Sequence, residues 1–371
     1  MISYLLPTRN RPEPLRETLE ALGCLSGRRH QQFGGAEVIV VDNDSSPPAI
    51  CPQKLANDFP VRLLRLEHNA GAAGRNAGAE IAAGNWLVML DDDSHPLTDD
   101  HLDVLDEAPE DLLAIGAEIL LNDDSHEAGG LPEVIIGCGA AIRKDAFLQV
   151  GGYDASFGFY GEEYDLCAKL LTSGGRVGHD RRFRVRHRKV PAGRDMNLII
   201  ERLVRNNGWV IQRYAPKSIR QREQDEMLTR YECIAIRENA ADGFALGRAE
   251  LLETLDRQPD REMDVALYAR FMGETSARES FTGCAAIYPG VNFAMVAQGK
   301  NASVIRRVLV DLGVELVDDE DAAEVLVVGT LSPGPALDAL RRYESKGRRI
   351  ISPVSITQTF ADNLTTAASK V

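Results

Sequence analysis

The sequence predicts an α/β protein whose first 215 residues wind around a mostly parallel sheet. Short apolar runs at 2–6, 37–41, 61–66 and 86–90 alternate with helically spaced or glycine-bounded segments, the pattern of strands joined by right-handed crossovers. The run at 86–90, WLVML, is continuously apolar with polar flanks, as in a strand covered on both faces. That run closes on Asp91, Asp92 and Asp93, at the carboxyl end of a strand, where open α/β sheets bind their ligands.

Taken in order, residues 2–6 form the first strand and PTRNRPEP a loop. Leu15, Leu19 and Leu22 give 14–22 helical spacing; 28–35 is polar and glycine-bearing, a loop. The strand at 37–41 ends in Asp42-Asn43-Asp44-Ser45-Ser46, 61–66 is a third strand, and 72–83 reads as a small-residue helix between Gly71 and Gly84. The loops after strands one, two and four therefore gather on one sheet edge, a nucleotide-site layout without a Walker or GxGxxG turn. Residues 113–121 and 134–143 read as further strands, 164–171 as a helix stopped by Gly174-Gly175, 181–189 as a basic strand and 197–214 as an amphipathic helix.

Composition divides the rest. Residues 216–283 are charged and helix-favouring, a helical connector, and a fresh α/β pattern fills 284–371. Its strands are expected at 291–299, 314–319, 324–330 and 348–353 and its helices at 302–312 and 336–346. This small α/β module has an order compatible with a BRCT-like or flavodoxin-like domain, with docking, dimerisation into a homo-oligomer or acceptor presentation as its expected role.

The chain has 371 residues, 44% hydrophobic and 26% charged, with a formal net charge of −14. That balance disfavours a general nucleic-acid-binding or anionic-membrane surface, which needs a basic face, though it leaves room for a local basic patch. The six cysteines form no CxxC pair, so reduced thiols in a cytoplasmic protein are expected. The N-terminus lacks the basic and long apolar regions of a leader, and contact with the inner face of a membrane is expected to be peripheral at most.

Three adjacent carboxylates repel by roughly 4 kcal/mol per close pair in a partly screened site. A hard divalent cation, Mn2+ or Mg2+, offsets that cost and shares one or two protein carboxylates with nucleotide phosphates. An Asp triplet alone is more often a solvated, helix-capping turn.

Four ordered pieces weigh against that blander reading: PTRNR (7–11), VIVVDNDSS (38–46), HNAGAAGRNAGAEIAAGNWLVMLDDD (68–93), and GGYD (151–154) followed by GEEYDL (161–166) and a basic strand ending in His187. Together they resemble the family 2, GT-A fold glycosyltransferases over about residues 1–216. RLVRNNGWVIQRYAP (202–216) is similar to the tail of the rhamnosyltransferase-like branch. The resemblance implies a GT-A (Rossmann-like) catalytic domain over 1–215. It assigns Thr8, Arg9, Asp42, Arg75, Asp91 and Asp92 to the donor, and Asp93, Asp91 and His187 to a metal, Mn2+ or Mg2+. Gly71, Gly74 and Gly78 read equally well as helix-packing residues.

GEEYDL departs from the family's usual Glu-Asp. Glu163 takes the catalytic base position, with Glu162 the alternative, and Asp165 reads as structural. The resemblance implies a metal-dependent, inverting transfer from a nucleotide-diphosphate sugar (UDP favoured) to a hydroxyl acceptor, a glycan, lipid-linked or small molecule. The alternatives are a non-catalytic nucleotide-sugar-binding scaffold and a nucleotidyltransferase of similar fold; PTRNRPEP lacks the glycine-rich, lysine-bearing loop the latter needs.

Overall fold

The computed structural model describes residues 1–189, 195–287 and 290–354. The chain opens with β1 (Ile2–Thr8), α1 (Pro12–Gly23), α2 (Gly27–Gln32), β2 (Ala36–Asp42), β3 (Val61–Arg65), α3 (Gly74–Ile81) and β4 (Trp86–Leu90). Next come β5 (Ser94–Pro96), α4 (His101–Glu107), β6 (Leu112–Leu120), β7 (Gly139–Arg143), α5 (Lys144–Gln149), α6 (Glu162–Thr172), β8 (Arg176–His187) and α7 (Met196–Tyr214). The connector is helical: α8 (Arg220–Arg237), α9 (Ala241–Thr254), α10 (Val265–Phe271) and α11 (Glu274–Ile287). The last unit holds β9 (Phe293–Val296), α12 (Ala302–Asp311), β10 (Val325–Val328), α13 (Pro333–Glu344) and β11 (Ile350–Ile351).

The main sheet has the order β3-β2-β1-β4-β7-β6-β8-β5. Its first four strands are parallel, as expected. β7 then runs antiparallel between β4 and β6, and β5 antiparallel to β8, so the sheet is mixed rather than mostly parallel. An apolar run shows that a strand is covered on both faces, not which way it runs, so β7 gave no warning.

Side-chain alternation splits the core. Leu5, Ile39, Val41, Leu87 and Met89 pack with Leu166 and Leu170 of α6 and Val204 and Ile211 of α7. Tyr4, Leu6, Val38, Val40, Val88 and Leu90 face the other way, toward Leu15 and Leu19 of α1 and Leu102 and Leu105 of α4. Each fully buried apolar side chain contributes about 1.5–3 kcal/mol, so a one-residue slip of β4, which would exchange its faces, is strongly disfavoured.

Three local expectations differ. The loop expected at 28–35 contains α2, capped by the Ser26 side chain accepting from Arg29 N. His30 points inward, its Nε2 2.7 Å from the Tyr4 hydroxyl, so a polar residue carries the buried face and hides the helix from hydrophobic spacing. The expected strand 134–143 is ordered as a strand only from Gly139. The expected strand 314–319 makes a single bridge, Phe293 with Leu316, leaving a three-stranded parallel sheet, β11-β10-β9.

The C-terminal unit packs on the first domain. Asp338 of α13 accepts from the His126 backbone N (3.0 Å) and faces His126 Nδ1 at 2.6 Å; Arg341 reaches Glu118 at 3.1 Å. Val304, Ile305 and Val308 of α12 share one apolar cluster with Leu131, Val134 and Phe271. Helix α11 runs across the boundary expected at 283–284, and 355–371 of the expected module lie outside the described residues. No described helix is long and apolar enough to cross a membrane.

Candidate active site

Strand β4 delivers the three aspartates to the sheet edge, where each meets a cation and Arg11 is shared by two of them. Half-buried Asp91 pairs with Arg75 Nη2 at 2.5 Å. Buried Asp92 accepts from the Thr8 hydroxyl (2.7 Å) and Arg11 Nη1 (2.5 Å). Asp93 takes Arg11 Nη2 on Oδ2 (2.6 Å), while its Oδ1 faces His187 Nε2 at 3.3 Å. Burial pushes Asp92 up to about 7 despite Arg11 and Thr8. Burial would raise Asp93 as well, but hydrogen bonds from His187 and Arg11 outweigh it and hold that carboxyl well below the usual range.

Register explains the meeting of distant residues. β1 pairs with β2 so that Thr8 lies opposite Asp42. β5 pairs with β8 so that Ser94 lies opposite His187, which sets the imidazole beside Asp93. Its other nitrogen, Nδ1, faces Glu127 Oε2 at 2.9 Å, and Lys189 holds the second oxygen of Glu127 at 2.6 Å. An N–H on Nδ1 donating to a carboxylate leaves Nε2 free for a metal, the usual second contact of a metal-binding histidine. Burial would lower the imidazole, but Asp93, Cys138 and Glu127 raise it to about 12, so without an ion it carries a proton.

The donor set fits a divalent cation. Asp93 Oδ1 is buried, and what it faces is the imidazole Nε2 of His187 at 3.3 Å, the nitrogen that Glu127 leaves available. Asp91, Cys138 and His187 bring ligand atoms within 4.8 Å of one another. Burial pushes the Cys138 thiol up to about 11, so it stays protonated, and a hard cation prefers the oxygens and imidazole.

Helix α6 supplies the second centre. Gly161 precedes it with φ 85°, a left-handed turn that glycine adopts without strain. Glu162 is buried and its Oε2 has no hydrogen-bond partner. Glu163 Oε1 accepts from Gly137 N at 3.3 Å, and the carbonyl of Gly137 accepts from Arg75 at 3.3 Å. One backbone residue thus ties Glu163 to the arginine that holds Asp91. Burial and the charge of Glu163 raise Glu162 well above the usual carboxyl range; burial also raises Glu163, opposed by backbone hydrogen bonds and Arg75. Asp165 is engaged by Arg213 and the Tyr214 hydroxyl, both at 2.8 Å, as a structural residue would be.

The remaining expected donor residues divide. Asp42 is fully buried, its two oxygens accepting from Ser45 N (2.8 Å) and Ala49 N (3.0 Å), so it shapes the loop after β2. Burial opposes its ionisation, but those bonds hold it below the ordinary value. Arg9 is exposed at the end of β1, and Arg75 is buried against β4. Gly74 packs where a Cβ would stand 2.6 Å from Asn43 Oδ1, and Gly78 where it would stand 2.9 Å from Leu5; these two are packing residues. Arg11, Glu127 and Cys138 were not singled out from sequence. Arg11 lies inside PTRNR, but its reach to Asp92 spans 81 residues of sequence. Glu127 is 60 residues from His187, and nothing local marks it.

Residues 3–126 match the family model for glycosyl transferase family 2. Over that stretch the chain is similar to family 2 glycosyltransferases. An uncharacterized glycosyltransferase of Haemophilus influenzae is 29% identical over 200 residues, 46% of this chain and 62% of that protein. The pre-mycofactocin glycosyltransferase of Mycobacterium tuberculosis is 26% identical over 217 residues, 50% of this chain and 44% of that protein. The chain thus spans less than two thirds of the length of these relatives. A mannosyltransferase from Pyrobaculum calidifontis in complex with GDP-Man and Mn2+ aligns over 84% of this chain and 85% of its own, at 12% identity and TM-score 0.45. The first domain is an α/β unit built on the mixed sheet, extended by the helical connector and the small C-terminal α/β unit.

Proposed function

We propose that the protein is a metal-dependent, inverting glycosyltransferase that moves a sugar from a nucleotide diphosphate, UDP in the first instance, to a hydroxyl acceptor. The carrying observation is the backbone of Gly137, which connects Asp91 and Arg75 on the cation side to Glu163 on the other. In this reading Asp93, His187 and Asp91 hold Mn2+ or Mg2+, which offsets charge on the departing diphosphate when bound. Thr8 and Arg9 border the nucleotide, Asp42 shapes the loop beneath it, and Asp92 anchors Thr8 and Arg11. The free thiols at Cys24, Cys51, Cys138, Cys167 and Cys233 suit a reducing, cytoplasmic setting.

The two glutamates have separate tasks. Glu162 is buried with an oxygen that has no hydrogen-bond partner, whereas Glu163 accepts from the Gly137 amide, which favours its carboxylate form and gives it the role of base. Glu163 takes the acceptor hydroxyl proton as the acceptor oxygen bonds to the anomeric carbon. The bond from that carbon to the diphosphate oxygen breaks, and its electron pair leaves with the diphosphate. Attack opposite the leaving group inverts the centre. Glu163→Gln is expected to cut turnover by about 10²–10⁴-fold with donor affinity nearly unchanged. NMR of the product anomer checks the stereochemistry, and a retained configuration would refute direct displacement.

A further inference from the structure

Beyond the aspartate edge, a cavity of about 510 Å³ lies between α7, α8 and the opening of α12. Its wall includes Tyr164, Arg230, Lys300 and Asn301. Lys300, from the loop after β9, donates to the Tyr164 hydroxyl, and its ammonium lies 4.6 Å from the centre of that ring. Arg230 reaches Asn301 Oδ1 at 3.3 Å.

The charges around this cavity are unevenly satisfied. Of the acidic residues, Glu226 pairs with Arg307 at 3.0 Å and Glu223 with Arg222 at 2.9 Å, while Asp225 accepts from the Gln221 amide at 3.0 Å. Among the described residues, neither Lys300 nor Arg230 has a carboxylate within ion-pair distance. Two half-buried cations on one cavity wall without a counter-ion leave a positive potential there. Burial and then Arg230 push Lys300 down to about 7, and an anion between the two would offset both effects. Tyr164, in the cavity wall, follows Glu163 in α6, so one helix serves both the cavity and the base.

We propose that this cavity between the connector and the C-terminal unit binds the anionic end, phosphoryl or carboxyl, of the acceptor through Lys300 and Arg230, with Tyr164 as the wall toward Glu163. The acceptor assignment rests on the glycosyltransferase reading; the anion site rests on the cavity and its two cations. It also gives the C-terminal unit a task, since Lys300 is the group that unit contributes.

The test uses the full chain without divalent metal. Inorganic phosphate and acetate are titrated separately by calorimetry, which distinguishes a phosphoryl from a carboxyl preference. Saturable binding of at least one is expected, weakened at least tenfold in Lys300→Gln and in Arg230→Gln and restored to within a few-fold in Lys300→Arg. Thermal melting checks that the variants fold. UDP binding in Mn2+ is measured on the same proteins and is expected to be unchanged. No saturable binding of either anion, or binding that survives both charge-removing substitutions in folded protein, overturns the proposal. Anion binding through Lys300 without any nucleotide binding would instead sink the glycosyltransferase reading and leave the anion site standing.

Discussion

Glu127→Gln tests whether His187 is a prepared metal ligand. The carboxylate accepts from His187 Nδ1 at 2.9 Å and from Lys189 at 2.6 Å while only 7% exposed. Glutamine keeps the shape but offers one acceptor oxygen for two donors, and its NH2 can turn toward the imidazole and impose the wrong tautomer. Loss of such a supporting contact typically costs about 10–100-fold in metal affinity, or about 1.4–2.8 kcal/mol. The assay is UDP binding as a function of Mn2+ concentration; the Mn2+ midpoint is expected to rise by that factor. In EDTA a second readout is available. His187 is raised above its unfolded value, so its contribution to stability is complete below about 6.5 and declines as pH rises toward about 12. The wild type should therefore lose part of its thermal stability between pH 6.5 and 9, and Glu127→Gln should flatten that slope. An unchanged Mn2+ midpoint and an unchanged slope in a folded variant would refute the role given to Glu127.

Asp93→Asn, which neutralises the buried carboxylate facing His187, is expected to weaken Mn2+-dependent UDP binding by about tenfold or more; equal affinity with and without EDTA in the wild type would count against the site. Glu162→Gln should retain far more turnover than Glu163→Gln, and the reverse order in a product-release assay would move the base to Glu162. A chain ending at residue 289 removes Val304, Ile305 and Val308 from the cluster they share with Leu131 and Phe271; a lower melting temperature and exposed apolar surface are expected, by calorimetry and dye binding, and an unaltered melt would show two independent units.

Much of the first domain was legible because its strands are short, apolar and punctuated. The four parallel strands, their order of appearance and the aspartates at the edge follow from residues 2–93. The mixed half was less readable: β7, GAAIR, is too short and too plain to declare its direction. Helix α2 escaped because His30 does the work of an apolar residue by bonding to Tyr4. At the site, the gathering of Thr8, Asp91–Asp93 and His187 on one sheet edge was foreseeable from strand ends. The support given by Arg11 and Glu127 was not, because it depends on side chains reaching across 81 and 60 residues of sequence. Asp42 shows the opposite difficulty: its acidic loop was visible, but not that both oxygens would be taken by backbone amides.

The pairing of Asp91, Asp92 and Asp93 with Arg75, Arg11 and His187 means the edge is close to neutral before any ion arrives. A divalent cation entering alone would bring two uncompensated positive charges into a partly buried place and compete with a proton on His187. A diphosphate arriving with it supplies the missing negative charge. Ion and donor should therefore load as one unit, each strengthening the other's hold by the same factor, while the unloaded protein keeps its shape without either.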